Sequence, residues 1–149
     1  FKSVNDAYGH ANGDVVLKDV AGILRTNARV EEQVSRIGGE EFLLICPKTS
    51  EHCAGIAAER FRKAVEAHEI DADGQAISVT ISSGAAERTP EMQSPDDLLV
   101  AADTALYWAK DSGRNKVCLA GRREQSSETE IAPHEECKEP SPATTATSG

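Results

Sequence analysis

Apolar positions along the first four fifths of the chain follow two alternating rhythms. Leu17, Val20, Ala21, Leu24 and Ala28 recur at intervals of three and four, the spacing of a helix that buries one face, and Asp14 stands where an N-cap or first-turn acid belongs. The pattern predicts a helix from about Gly13 to Arg29. Two short apolar runs follow, Gln33 to Ile37 and Phe42 to Cys46, separated by Gly38-Gly39-Glu40-Glu41 and closed by Pro47. They predict a β-hairpin. After Ser50, the spacing of Cys53, Ala57, Phe61, Ala64 and Val65 predicts a second helix, and Ile77, Val79 and Ile81 alternate with polar neighbours as in a half-buried strand. Ser94 followed by Pro95, Asp96 and Asp97 is a helix start with cap, N1 proline and first-turn acids. That third helix turns Leu98, Ala102, Ala105, Leu106 and Ala109 inward and stops near Gly113, before a last strand over Val117 to Leu119.

The predicted order is α, β, β, α, β, α, β, a mixed α/β (α+β) domain with room for one ordinary core in 149 residues. It opens on the polar segment FKSVNDAYGHANGD, which reads as turn rather than core, so a first strand is expected to be missing ahead of Phe1. From Gly121 to Gly149 large apolar residues nearly vanish, and three Lys and Arg face six Asp and Glu. Such a segment cannot offset its ordering entropy, and the expectation is a disordered acidic tail containing Ser, Thr and Pro.

Charge narrows the partners. A formal charge of -9 argues against a surface built for nucleic acid or anionic membrane, so a polyanionic ligand must find local cations or metal ions. No apolar run approaches the roughly 20 residues of a membrane span, and no charged-then-apolar leader is present. The four cysteines lack a CxxC pair and are too irregular for a disulfide framework, which makes reduced thiols the default. His52, Cys53 and His68 superficially suggest a metal site, but neighbours on a helix point in different directions.

Three clusters carry candidate chemistry. At the hairpin tip Gly38 and Gly39 permit positive φ or close approach to a ligand, and Glu40 and Glu41 offer hard oxygen donors that suit Mg²⁺ together with phosphates. A solvated turn with two surface acids explains the same residues. Lys110 and Arg114 flank the helix-breaking Gly113 and could grip one phosphate chain, although a cation at a helix C-terminus is sufficient reason for Lys110. Asn5 and Asp14 have the acceptors and donors to read a guanine edge, and helix capping accounts for them equally well.

Together these strings resemble the GGDEF family of diguanylate cyclases. RIGGEEF at Arg36 to Phe42 is the GGEEF variant of its signature, FKSVNDAYGHANGD is similar to its FKxxND-x-x-GH-x-x-GD segment, and KDSGRN to its KxxGRN element, over residues 1 to about 120. The resemblance implies a fold like the palm of nucleotide cyclases and polymerases, with a ferredoxin-like central sheet flanked by helices. It implies that two GTP molecules, one on each subunit of an antiparallel homodimer, condense to cyclic di-GMP with loss of two pyrophosphates. Two Mg²⁺ ions per site, or Mn²⁺, would serve as cofactors. On this sequence Glu40 matches the metal-binding acid and Glu41 the position proposed to help deprotonate the 3′-hydroxyl. Gly38 and Gly39 match the nucleotide-contacting turn, Asn5 and Asp14 the guanine readers, and Lys110 and Arg114 the phosphate-binding pair, with Lys2 and Phe1 near the same phosphates.

Two departures qualify the match. The family's Asp-x-Asp pair would precede Phe1 and is absent, so the chain is expected to be part of a longer cyclase, with weak or no turnover by itself. The family's inhibitory RxxD motif reads Arg29-Val30-Glu31-Glu32 here, with Arg60 matching a secondary arginine that is equally well a solvated charge. The resemblance further implies an upstream sensor domain and a cytoplasmic location, with any membrane attachment upstream. The alternative is a catalytically inactive GGDEF domain that binds GTP or a partner protein as a regulatory module.

Overall fold

The computed structural model describes residues 1–121. Its elements are α1 (Lys2–Asn27), β1 (Gln33–Gly38), β2 (Glu41–Ile45), α2 (Glu51–Glu66), β3 (Glu69–Ala72), β4 (Gln75–Ser78), β5 (Ser83–Ala85), α3 (Pro95–Asp111) and β6 (Val117–Leu119). The helices predicted after Ser50 and Ser94 start there. Ser50 Oγ accepts from the Cys53 amide, and Ser94 and Asp97 form a reciprocal capping box.

The core is a cluster of Val16, Val20 and Leu24 from α1, Phe61 and Val65 from α2, Ile70 and Ala72 from β3 and Ile77 from β4. Burial of these apolar faces, more than helix propensity, holds α1 and α2 in place. On its other side α2 meets β5 and β6, and α3 lies directly on β5. Gly84 permits that approach: a Cβ there would lie 2.1 Å from the Ala102 carbonyl oxygen and 2.2 Å from the Leu106 amide nitrogen.

Four sequence expectations change. The opening segment is helical, not a turn, and α1 begins at Lys2, interrupted at Gly9, whose φ of 80° and ψ of 161° break the hydrogen-bond ladder. The hairpin turn is shorter than expected, because Gly38 already pairs with Glu41, leaving Gly39 and Glu40 at the tip. Glu40 is therefore a turn residue and Glu41 the first residue of the strand. The predicted strand through Ile77, Val79 and Ile81 stops at Ser78, since β4 pairs antiparallel with β3 across Asp73 and Gly74, both at positive φ. Asp-Gly is the favoured pair for a two-residue hairpin turn, and the sequence carried that signal.

The fourth change concerns pairing. Rather than one continuous sheet, the strands form three two-stranded ladders among the described residues: β1 with β2, β3 with β4, and β5 with β6, the last parallel. Between these ladders lies a cleft of about 500 Å³, walled by β2, by Ser78–Ser83 and by the apolar faces of Val16, Val20 and Phe61. Among the described residues Cys46 and Cys118 are free cysteines. No group of three metal-ligating side chains occurs among the described residues. The predicted tail lies outside the described residues apart from Gly121.

Candidate active site

The cleft collects residues from four parts of the chain. Phe1 closes one side, Glu40 and Glu41 arrive on the β1–β2 hairpin, and Lys110 and Arg114 come from the end of α3 and the turn beyond it. Carboxylates and cations thus share one cavity. The hairpin tip is braced from inside, because the Arg36 guanidinium donates to the Gly39 carbonyl from Nε at 2.9 Å and from Nη2 at 2.6 Å. Gly39 adopts a φ of 42°, which a side chain rarely tolerates. A shift in register between Arg36 and Gly38 tightens the same end of the ladder. The Glu40 side chain is half-exposed.

On the opposite wall α3 ends at Asp111, and the Arg114 amide closes back on the Ala109 carbonyl at 2.9 Å. Gly113, Arg114 and Asn115 then take positive φ in succession, 111°, 61° and 48°. Arg114, at the middle of this left-handed stretch, lines the cleft, as does Lys110.

Asn5 and Asp14 do not line the cleft, and neither do Lys2, Gly38 and Gly39. Asn5 is nonetheless tied to its partner motif. The interruption at Gly9 folds the first part of α1 so that Asn5 Oδ1 lies against Gly13, where a Cβ would meet it at 1.9 Å. The Asn5 side chain therefore sits one residue away from Asp14. At the start of α1 the N-cap is Phe1, and no side chain caps it.

Arg29, Glu32 and Arg60 converge on a second, smaller cavity of about 130 Å³. Glu32 is nearly buried, accepts from Arg60 Nη2 at 2.5 Å and from the Arg29 amide at 2.8 Å, and Arg60 Nε donates to the Asn27 carbonyl at 3.2 Å. Arg60 is therefore not merely a solvated charge. Cys46 opens into the same cavity, and burial, with the Glu32 carboxylate adding to it, pushes its thiol up from the ordinary cysteine range.

Residues 1–116 match the family model described as diguanylate cyclase, GGDEF domain. The chain belongs to the GGDEF family. It is similar to "Diguanylate cyclase A" of Treponema denticola, 44% identical over 120 residues that make up 80% of this chain and 32% of that protein. The GGDEF domain of DgcB from Caulobacter crescentus, solved in complex with c-di-GMP, superposes with a TM-score of 0.75 at 34% identity, covering 80% of this chain and 71% of that one. The active GGEEF domain of a diguanylate cyclase from Vibrio cholerae gives a TM-score of 0.72 at 29% identity, over 83% and 77% of the two chains. The chain thus spans about a third of the length of the Treponema relative. As in the family at large, the fold mixes helices and strands in a palm-like arrangement.

Sequence reasoning passed over the residues that hold the site's geometry. Arg36 was visible only as part of the signature, and Arg62, which reaches Asn115 from α2, had no local signal at all. No helix among the described residues is long and apolar enough to cross a membrane.

Proposed function

We propose that this GGDEF domain is a diguanylate cyclase domain that joins two GTP molecules into cyclic di-GMP. The observation that carries the reading is the cleft that gathers Glu40 and Glu41 with Lys110 and Arg114. Four such groups in one cavity suit a triphosphate: cations for its oxygens, and acids for a metal and a hydroxyl proton. Lys110 and Arg114 bind and orient the phosphate chain, Arg114 through its planar fork. Asn5 and Asp14, adjacent through Gly13, read the guanine edge. Glu41 takes the proton from the 3′-hydroxyl; that oxygen bonds to the α-phosphorus of the second GTP, and pyrophosphate leaves. A second such transfer closes the ring and releases the second pyrophosphate.

Relatives of this class are metal-dependent, and Mg²⁺, with Mn²⁺ as a substitute, is proposed here at two ions per site. The donor set fits in kind, because Mg²⁺ is commonly held by one or two carboxylates plus substrate phosphates. Glu40 would hold it, with the nucleotide supplying further oxygens. Bound there, the metal supplies charge neutralisation and a lower pKa for the hydroxyl.

Each site holds one nucleotide, so two copies must face one another, and the enzyme acts as a homodimer. An upstream sensor, a cytoplasmic location and an acidic tail from Gly121 onward belong to the same proposal. Arg29, Glu32 and Arg60, which line the smaller cavity and include the Arg60–Glu32 pair, form its inhibitory site.

The test is cyclic di-GMP formation, followed by mass with GTP and Mg²⁺ over a series of concentrations of the intact protein. Product rising more steeply than protein concentration supports a dimeric cyclase, and a Glu41→Gln variant should lose synthesis while still binding GTP. GTP binding without product at any concentration favours the second reading, a nucleotide-binding regulatory module.

A further inference from the structure

Arg114 and Asn115 are consecutive non-glycine residues in the left-handed region, a conformation that persists only where the surroundings over-determine it. The surroundings here are specific to an amide. Asn115 Oδ1 accepts from Arg62 Nη1 at 2.7 Å, and Asn115 Nδ2 donates to Glu66 Oε1 at 2.7 Å. An arginine offers only donors and a carboxylate only acceptors, so the two neighbours dictate which end of the amide faces which. Aspartate at this position would turn a carboxylate toward Glu66, and a hydrophobic residue would leave both partners unmatched.

The clamp is itself anchored. Arg62 is largely buried, with its side chain 11% exposed, and Glu59 grips it at Nε and Nη2 at 2.8 and 2.7 Å while Glu66 takes Nη1 at 2.7 Å. Hydrogen bonds from Asn115 and Arg62 hold the Glu66 carboxyl below its ordinary value. On the main-chain side, the Asn115 amide donates to Ser82 Oγ at 3.1 Å and the Ser83 amide to the Lys116 carbonyl at 2.9 Å. The turn is therefore fastened to helix α2 on one side and to the cleft wall on the other. Arg114 is the residue that this double attachment leaves facing the cavity.

We propose that Asn115 is the positioning residue for Arg114: clamped by Arg62 and Glu66, it holds the turn that aims the Arg114 guanidinium at the phosphates of a bound nucleoside triphosphate. The inference rests on the reading of the cleft as a nucleotide site. If conformation alone mattered, glycine would suit position 115 best, because positive φ costs it nothing. Asn115→Gly therefore separates the clamp from the turn.

The experiment measures GTP binding with Mg²⁺ by calorimetry on the intact protein for wild type, Asn115→Gly, Arg62→Met, Arg114→Ala and the Asn115→Gly/Arg114→Ala pair, with thermal unfolding of each alongside. Asn115→Gly and Arg62→Met should each weaken binding about tenfold, the scale set by one charge-assisted hydrogen bond, in protein that remains folded. In the Arg114→Ala background, Asn115→Gly should add nothing, which a merely structural role would not produce. Wild-type affinity in folded Asn115→Gly or Arg62→Met, or a loss that adds in full to that of Arg114→Ala, overturns the inference. Wild-type affinity in Arg114→Ala overturns the nucleotide reading of the cleft, and the inference falls with it.

Discussion

Two glycines in this domain should respond in opposite directions to the same added methyl group. Gly84 lies on β5 under α3, and a Cβ built on it would stand 2.1 Å from the Ala102 carbonyl oxygen, 2.2 Å from the Leu106 nitrogen and 2.9 Å from the Ala105 carbonyl carbon. All three are backbone atoms of one helix, so no rotamer change relieves the clash. Either α3 moves off the ladder as a body or β5 withdraws. Overpacking costs about 1–3 kcal/mol where side chains can adjust, and a backbone clash belongs at the upper end, about 3 kcal/mol. For a domain of this size that lowers Tm by about 12 °C. Gly22, in α1, has nothing within 4 Å of its virtual Cβ, so alanine there gains about 0.5–1 kcal/mol through helix propensity and raises Tm by a few degrees. The assay is thermal unfolding by circular dichroism of Gly84→Ala, Gly22→Ala and wild type under one buffer. Because Lys110 lies in the last turn of α3, Gly84→Ala should also weaken GTP binding at temperatures where it is still folded. A Gly84→Ala Tm within about 2 °C of wild type, or a Gly22→Ala loss as large as that of Gly84→Ala, would refute the packing argument.

Further outcomes are expected elsewhere. Ser94→Ala removes the hydroxyl that accepts from the Asp97 amide in the capping box of α3 and should cost about 1 kcal/mol in a denaturant titration, with an unchanged midpoint counting against the cap. Asp14→Ala should erode the preference for GTP over ATP in competition binding, and retained selectivity would remove Asp14 from base recognition. Gly13→Ala should produce a similar loss without touching a carboxylate, because the new methyl displaces the Asn5 side chain. Glu66 is held below its ordinary pKa first by the Asn115 hydrogen bond and then by Arg62, so its contribution to stability is present above the ordinary value and is lost as pH falls through the depressed one. Stability of Glu66→Gln should accordingly fall less than that of wild type between about pH 5 and pH 3, and parallel acid limbs would contradict that assignment.

Local signals in the sequence determined the kinds of element and several of their ends. Ser50 and Ser94 cap their helices because a side-chain oxygen three residues from a free amide needs no tertiary help, and the Gly-Gly-Glu-Glu string makes its hairpin from its own φ preferences. The nucleotide-site candidates were legible for a related reason, since motif spacing survives in the chain whatever the fold does. What periodicity could not reveal was which strand pairs with which. Alternation at Ile77, Val79 and Ile81 is the same whether the run is one strand or a strand followed by cleft wall, and only the Asp73-Gly74 turn selects the β3–β4 pairing. Nor does a local pattern record that Gly84 must be bare, because the atoms it would strike belong to α3. The attachments that shape the site join residues far apart in sequence: Arg62 to Asn115 across 53 positions, Asn115 to Ser82 across 33 and Arg60 to Glu32 across 28. Tertiary structure alone decided these, because a hydrogen bond depends on where packing brings a donor and an acceptor, and burial of the apolar faces of α1 and α2 sets that placement.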